Sequence, residues 1–591
     1  MNKKLATLLT ALMFSIAGAW ADDEPFVVWD ETNRTLYFDY GTAPEWEGTY
    51  TTPDGTQVTA TMRWKGDDVT YSSIWPDWQY NRYLSVARIV ILPAFSKARP
   101  ESCSKWFSQY NIMTTIEGLE YLNTSHVKNM SEMFRDCHNL KTLDLSHFDT
   151  SNVTDMSGMF DRCSNLESIS LGSFKTANVT NMRDMFSNCQ HLDTLDLSHF
   201  DTSNVTDMRG MFIGCYRLAS LNLSSFNTAK VTDMGSMFNA CKALTSLDVT
   251  GFKTGNVEDM AYMFSDCKIL KSLDLHLFDT GKVTDMKGMF AGAEELDTLD
   301  LGSFNTANVT DMSYMFSNCK SLKSLNVKSF NTANVTNMEY MFYFCQKLRS
   351  LDVRSFNTAK VKNMSYMFNV CQSLRSLNLK GFNTSSLVAM SLMFSGCSSL
   401  TSLDLRSFNT SKVQYAYTVF ANCSSLRSVM LGSFDTSNMQ DISYMFSYCS
   451  KLEALNLRSF NTSKVQYFTS MFRGCSSLKT IYVSDLWSME SMYKTGGNNM
   501  FEDCVSLVGQ KGTAYDASHI DYTFARVDGA FVDDFPGYFT YRSSIAPKVS
   551  KTVIPVAVQN IMTPSPANVD ADINEDGLIN VLDIVEMVMA K

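Results

Sequence analysis

Asp572, Asn574, Asp576, Asn580 and Asp583 put side-chain oxygens at positions 1, 3, 5, 9 and 12 of a twelve-residue stretch, with Gly577 at position 6. Ca2+ takes six to eight hard oxygen ligands, and Leu578 would supply its backbone carbonyl at position 7. Asp583 stands where the usual calcium loop carries Glu. Ile584, Val585, Val588 and Met589 follow at helical spacing as an apolar stripe. The competing reading is a tail rich in Asp and Asn by chance.

Thiols are the second candidate chemistry. Thirteen of the 15 cysteines recur at one phase of a 26-residue period, from Cys137 to Cys475, with Ala293 in the one gap. Neighbours in such a column have Cα atoms about 5 Å apart, within disulfide range, but their Cα–Cβ bonds run parallel instead of converging. The odd total and the ease with which Ala293 substitutes favour small buried hydrophobes over a disulfide ladder. No C-x-x-C occurs and the 7 histidines share no ligand spacing with the thiols, which leaves zinc unsupported. G-x-S-x-G, H-E-x-x-H and G-x-x-x-x-G-K-[ST] are also absent, and the repeat leaves no long loop to build a pocket. The sequence reads as non-enzymatic.

The columns exist because the chain repeats. Phe148 recurs every 26 residues through Phe460, and Leu122 holds the same phase ahead of it, which makes 14 units without an insertion or deletion. Leu140, Leu143, Leu145 and Phe148 follow an L-x-x-L-x-L-x-x spacing, with Phe where leucine-rich repeats usually carry Asn. Leu143 and Leu145 alternate with Asp144, which predicts a strand with one buried face. Met156, Met159, Phe160 and Cys163 fall at i, i+3, i+4 and i+7, the stripe of a short helix. One unit cannot bury its own apolar face, whereas stacked copies form a continuous core. At ~4.8 Å per strand, such a sheet would run about 60–65 Å. The methionine columns read as gap-filling core, and the unbroken threonine column, Thr124 to Thr462, as hydroxyls that satisfy turn backbone groups.

The unit F-[ND]-T-x-x-V-x-x-M-x-x-M-F-x-x-C is similar to the 26-residue repeats of the BspA-like leucine-rich-repeat surface proteins of bacteria. Thr114 to Thr124 resembles that family's lead-in. Gly512 to Tyr515, Ala525 to Gly529 and Pro536 to Thr540 resemble its closing segment. The resemblance covers roughly residues 90 to 541. It implies a cell-surface or secreted binding protein, with adhesion to host matrix proteins or to other bacteria among some members. The C-terminal loop and its helix resemble one half of a type I dockerin, which implies calcium binding and a cohesin-like partner. Dockerins carry two halves, and Val581 and Leu582 are apolar where that family presents small polar residues.

The outward strand positions differ from unit to unit. With Leu143 and Leu145 buried, Thr142, Asp144 and Ser146 face outward, and the Asp144 phase is largely Asp or Asn throughout. The Ser146 phase begins with Ser and Gly but becomes Lys328, Arg354, Lys380, Arg406 and Arg458; Arg349 and Arg375 repeat the bias at the neighbouring phase, with Lys323 and Arg427. This stripe could dock an acidic protein or an anionic glycan, with guanidinium forks at intervals of ~5 Å. The alternative is a solvated face on which Arg354 and Arg406 pair with the Asp column across strands.

Across 591 residues the net charge is −11 and 45% of the chain is hydrophobic, which excludes a disordered protein and a general nucleic-acid binder. Lys3 and Lys4, the apolar run from Leu5 to Gly18 and Ala19-Trp20-Ala21 read as a signal peptide, so export is expected, with no transmembrane segment in the mature chain. The expected organisation is a signal peptide (1–21), a β-rich N-terminal cap (22–102) and the repeat array with degenerate end units (103–505). A C-terminal cap (506–542), a proline-rich linker (543–567) and the dockerin-like calcium segment (568–591) follow. The expected fold class is α/β: a leucine-rich-repeat solenoid with a parallel sheet and short helices, a β-rich cap and a small EF-hand-like tail. The expected function is recognition of an extracellular protein or glycan at a cell surface, through the exposed sheet face. The alternative is a non-catalytic component of an extracellular enzyme assembly, docked through the tail.

Overall fold

The computed structural model describes residues 23–44, 48–52, 55, 57–59, 63–65, 85–432, 434–493, 496–529 and 535–542. The signal-peptide pattern, the linker and the whole calcium segment, from Asp572 to Asp583, lie outside them. The chain divides into two compact units, residues 1–256 and 257–591.

The first unit opens with an antiparallel pair, Glu24–Asp30 and Thr35–Gly41, in a five-stranded sheet that also contains Arg63–Lys65, Arg88–Ile91 and Thr115–Glu117. The connecting turn forms because Asp30 Oδ1 accepts the amides of Thr32 and Asn33, and Arg34 takes a φ of 52°. The last two strands add in parallel, which leads the chain into its coils. Phe26, Val28, Tyr50, Val58 and Leu92 cluster as one core. Phe38 packs against Phe95, Trp106 and Phe107, and Phe107 against Phe134, where the coil core begins.

Each coil is a chain of turns, and seven coils open with a three-residue strand among the described residues. Thr142–Asp144 pairs in parallel and in register with Ser168–Ser170; in the second unit Thr298–Asp300 pairs with Ser324–Asn326 and Ser402–Asp404 with Ser428–Met430. The expected short helix is absent: Met156 to Cys163 and its equivalents are β-turns. Met159 and Cys163 donate to the carbonyls of Met156 and Phe160, while Met156, Gly158, Phe160 and Arg162 donate to the next coil. The reason lies at the third residue of each turn, Gly158 and Arg162, with φ of 58° and 60°. Left-handed residues every fourth place break an α-helix but suit tight turns. The four-residue turn nevertheless keeps Met156, Met159, Phe160 and Cys163 inward and fully buried. The fold is therefore repeat-rich, with parallel strands and no α-helix among the described residues.

Stacking fills each core with ladders. Phe160 lies 5.4 Å from Phe186, and Phe342 lies 5.5 Å from Phe368, in nearly parallel planes. Each buried Phe contributes about 1.5–3 kcal/mol. Threonine joins the coils: Thr150 Oγ1 accepts the Lys175 amide at 2.7 Å and donates to its carbonyl at 3.0 Å. Its bonds reach the next coil instead of its own turn. The second unit ends with Ala454–Asn456, Thr480–Val483 and Phe539–Tyr541 in one parallel sheet. No helix among the described residues is long and apolar enough to cross a membrane.

Candidate functional site

The cysteine column is packed into the core of the coils. All 15 thiols are free and buried. Cys371 Sγ donates to the Phe342 carbonyl of the preceding coil at 3.1 Å, and burial pushes its thiol up to about 12. A thiol that cannot ionise is neither a nucleophile nor a ready metal ligand.

The sheet face differs from the expectation in two ways. Its Asp and Asn column is built into the turns: Asp144 accepts the amide of Ser146, Asn326 that of Lys328, Asp352 that of Arg354 and Asn378 that of Lys380. The same turns swing the arginines back along their own coil. Arg354 forks Asp352 through Nε at 2.9 Å and Nη2 at 2.8 Å, and Arg406 forks Asp404 at 3.1 Å through both nitrogens. Pairing is therefore with the residue two before, not across strands. The Arg354 guanidinium holds the Asp352 carboxyl far below the usual range. Burial pushes Asp404 up, but its bonds to Arg406 outweigh that and leave it lowered.

Arg458 is a further correction, since its side chain is buried. It follows the first strand of the terminal sheet, and Ser484 of the next coil donates to its carbonyl. Lys323 is held by Asp297 at 2.9 Å. Lys328, Arg349, Arg375 and Lys380 remain exposed, with no ion pair among the described residues. Between the coils of Asp352 and Asn378 the face dips into a shallow hollow of about 270 Å3, lined by Ser350, Asp352, Arg354 and Ser376. The arrangement offers cations at regular steps beside carboxylates that are already neutralised.

The same coils underlie the likeness to other proteins. Five overlapping matches to the family described as "Mycoplasma protein of unknown function, DUF285" span residues 101–196, 188–294, 270–351, 345–453 and 390–515. The chain belongs to the DUF285 family. The DUF285 matches run from Glu101 to Tyr515 and exclude the N-terminal hairpin and the calcium segment. This agrees with reading the coils as one repeat family and carries no ligand with it. Among solved structures, the chain is similar to a leucine-rich repeat protein from Eubacterium ventriosum ATCC 27560, 15% identical with a TM-score of 0.27, over 68% of this chain and 93% of that one. No curated protein matches.

Sequence reasoning missed the turn face of the second unit. Tyr314, Tyr340 and Tyr366 stack with ring centroids 4.7 and 4.3 Å apart. Tyr343 meets Tyr340 edge-on at 5.1 Å, and the Tyr366 and Tyr417 hydroxyls lie 3.3 Å apart. The three stacked residues have φ of 61°, 57° and 60°, a conformation that costs an L-residue about 1–2 kcal/mol. Stacking returns about 0.5–1.5 kcal/mol per pair. The signal was present as tyrosines at 26-residue spacing, hidden because their phase had been assigned to a helix.

Proposed function

We propose that this DUF285 chain is an exported, non-catalytic recognition protein. Its sheet face binds an extracellular protein or glycan that carries repeated anionic groups. One observation supports it above others: Lys328, Arg349, Arg375 and Lys380 stand exposed and without an ion pair among the described residues, while Asp352 and Asp404 are occupied by Arg354 and Arg406. An incoming anion therefore meets cations without competing for a resident carboxylate, at steps of ~4.8 Å along the stack. The signal-peptide pattern at residues 1–21 supports export. Binding of the chain to a panel of matrix proteins, mucins and sulfated glycans tests this. Reversing the four cations to Glu should weaken binding about tenfold or more and flatten its salt dependence. Unchanged affinity would end the proposal.

A second reading rests on the calcium pattern alone. Asp572, Asn574, Asp576, Leu578, Asn580 and Asp583 would bind Ca2+ and dock the chain to a cohesin-like module of an enzyme assembly. A full chain that bound no calcium by calorimetry, or that bound it equally as Asp572→Ala/Asp576→Ala, would remove this reading.

A further inference from the structure

We infer that the turn face of the second unit holds a separate site for a neutral saccharide, in the notch above Gly292. The coil from Met286 to Leu296 brings only Ala291 and Gly292 to the place where the coils beside it carry Ser265 and Asp266 or Ser317 and Asn318. The gap opens a hollow of about 420 Å3, within the range of small-molecule sites. Asp266 and Lys268 line one side, Tyr314, Asn318 and Tyr340 the other, and Glu294 one end.

Two features match a sugar. The first is a preset aromatic wall. Tyr340 is stacked on both sides, by Tyr314 and Tyr366, and edged by Tyr343, so the wall is stiff. Tyr314 ends the stack: the preceding coil has Gly288 at its place, Tyr262 leans over that glycine, and no ring contact joins Tyr262 to Tyr314 among the described residues. A ring face held in place in this way suits the apolar C–H side of a pyranose. The second is balanced polarity. Asp266, Glu294 and Lys268 line the notch, and Glu294 is held by Lys268 at 3.2 Å and, from beside the lining, by Lys320 at 2.8 Å. Anions meet carboxylates there and cations meet ammonium groups, whereas a polyhydroxyl ligand can donate to the acids and accept from the lysines and Asn318. Ionic ligands are thus disfavoured and vicinal hydroxyls served.

The test uses the full chain and a panel of glucose, galactose, mannose, N-acetylglucosamine, cellobiose and lactose, read by saturation-transfer NMR and calorimetry. At least one should bind with a Kd of about 1 mM or tighter. Tyr314→Gly, which removes the ring at a position whose φ suits glycine, should weaken that binding about tenfold, and Asp266→Asn several-fold. Tyr314→Phe should retain it. Tyr444→Gly, at an exposed left-handed position outside the stack, should leave it unchanged, as should charge reversal on the sheet face. Circular dichroism confirms that each variant folds. No binding by any sugar, equal binding by Tyr314→Gly, or capture of anionic glycans alone would overturn the inference.

Discussion

At one turn position the two units share a backbone and differ in side chain. The third residue of the first turn is left-handed in both. In residues 1–256 it is Glu132, Gly158, Asp184, Gly210 and Ser236, with φ from 53° to 61°. In residues 257–591 the same phase brings Tyr262, Gly288, Tyr314, Tyr340, Tyr366, Leu392, Thr418, Tyr444 and Ser470, with φ from 53° to 61°. Apart from Glu132, the first set is what a left-handed turn selects, small or short polar groups. The five tyrosines of the second set run against that selection, so the backbone does not explain them. The sheet face shows the same contrast, Ser146, Gly172, Ser198 and Ser224 against Lys328, Arg354, Lys380 and Arg406. A common scaffold thus carries two different coats, and the exposed cations and stacked tyrosines belong to the second unit.

If the scaffold is common, damage to it should cost the same in both units. Thr150→Val and Thr306→Val keep shape and delete one hydroxyl. Each takes the partner from a half-buried amide and carbonyl of the next coil, at Lys175 and Asn331 respectively. The expected loss is about 2–4 kcal/mol for each, read as the shift in urea midpoint at constant m. A loss in one unit more than twice that in the other would break the comparison.

The coats should respond in opposite directions. Gly210→Ala places a Cβ against Asp184 Oδ1 at a φ of 61°, and should destabilise by about 1 kcal/mol or more. Tyr444→Gly removes an exposed ring with no stacking partner among the described residues, at a φ of 58°. It should be neutral or stabilise by up to about 1 kcal/mol. Thermal melts of both variants decide the matter; a clear loss in Tyr444→Gly would mean that ring packs for stability.

The inward phases were legible because burial selects residue type. Leu143, Leu145, Phe148, Met156 and Cys163 could be read as core from alternation and spacing, and all are buried. The helix was misread because two four-residue turns place apolar groups at the same intervals as helical turns. The distinguishing signal was the run of Gly, Asn and Asp at the phases of Gly158 and Arg162, such as Gly210, Gly214, Asn318 and Asn422. The threonine column is legible as hydroxyls that satisfy turn backbone groups, but nothing local shows that the partner lies 25 residues on. Arg354 and Asp352 were assigned across strands, although the Asx turn that brings them together is written in their two-residue spacing. The notch was illegible for a different reason, because it is made by what one coil lacks.

Acid separates the two faces by sign. On the turn face, burial raises the carboxyl of Asp285, flanked by Asp259 and Asp311. A carboxyl whose folded pKa exceeds its unfolded value favours the protonated fold. That contribution is complete below the unfolded value of about 3.9 and is lost as pH rises through the folded one. Asp285→Asn keeps an oxygen for the Lys287 amide and stays neutral. The variant should therefore match or exceed the parent at pH 7, by no more than about 0.5 kcal/mol, and the gap should close as pH falls toward 4. On the sheet face, Asp352 is lowered by its bonds to Arg354, so its contribution is present above the unfolded value and lost as pH falls through the folded one. Asp352→Asn should consequently be the less stable partner at pH 7 and converge only in strong acid. Urea midpoints between pH 2 and 7 for both variants read the two signs directly. The same sign for both would mean that the turn-face acids are solvated like those of the sheet, and that the two faces do not differ in electrostatics as the coils imply.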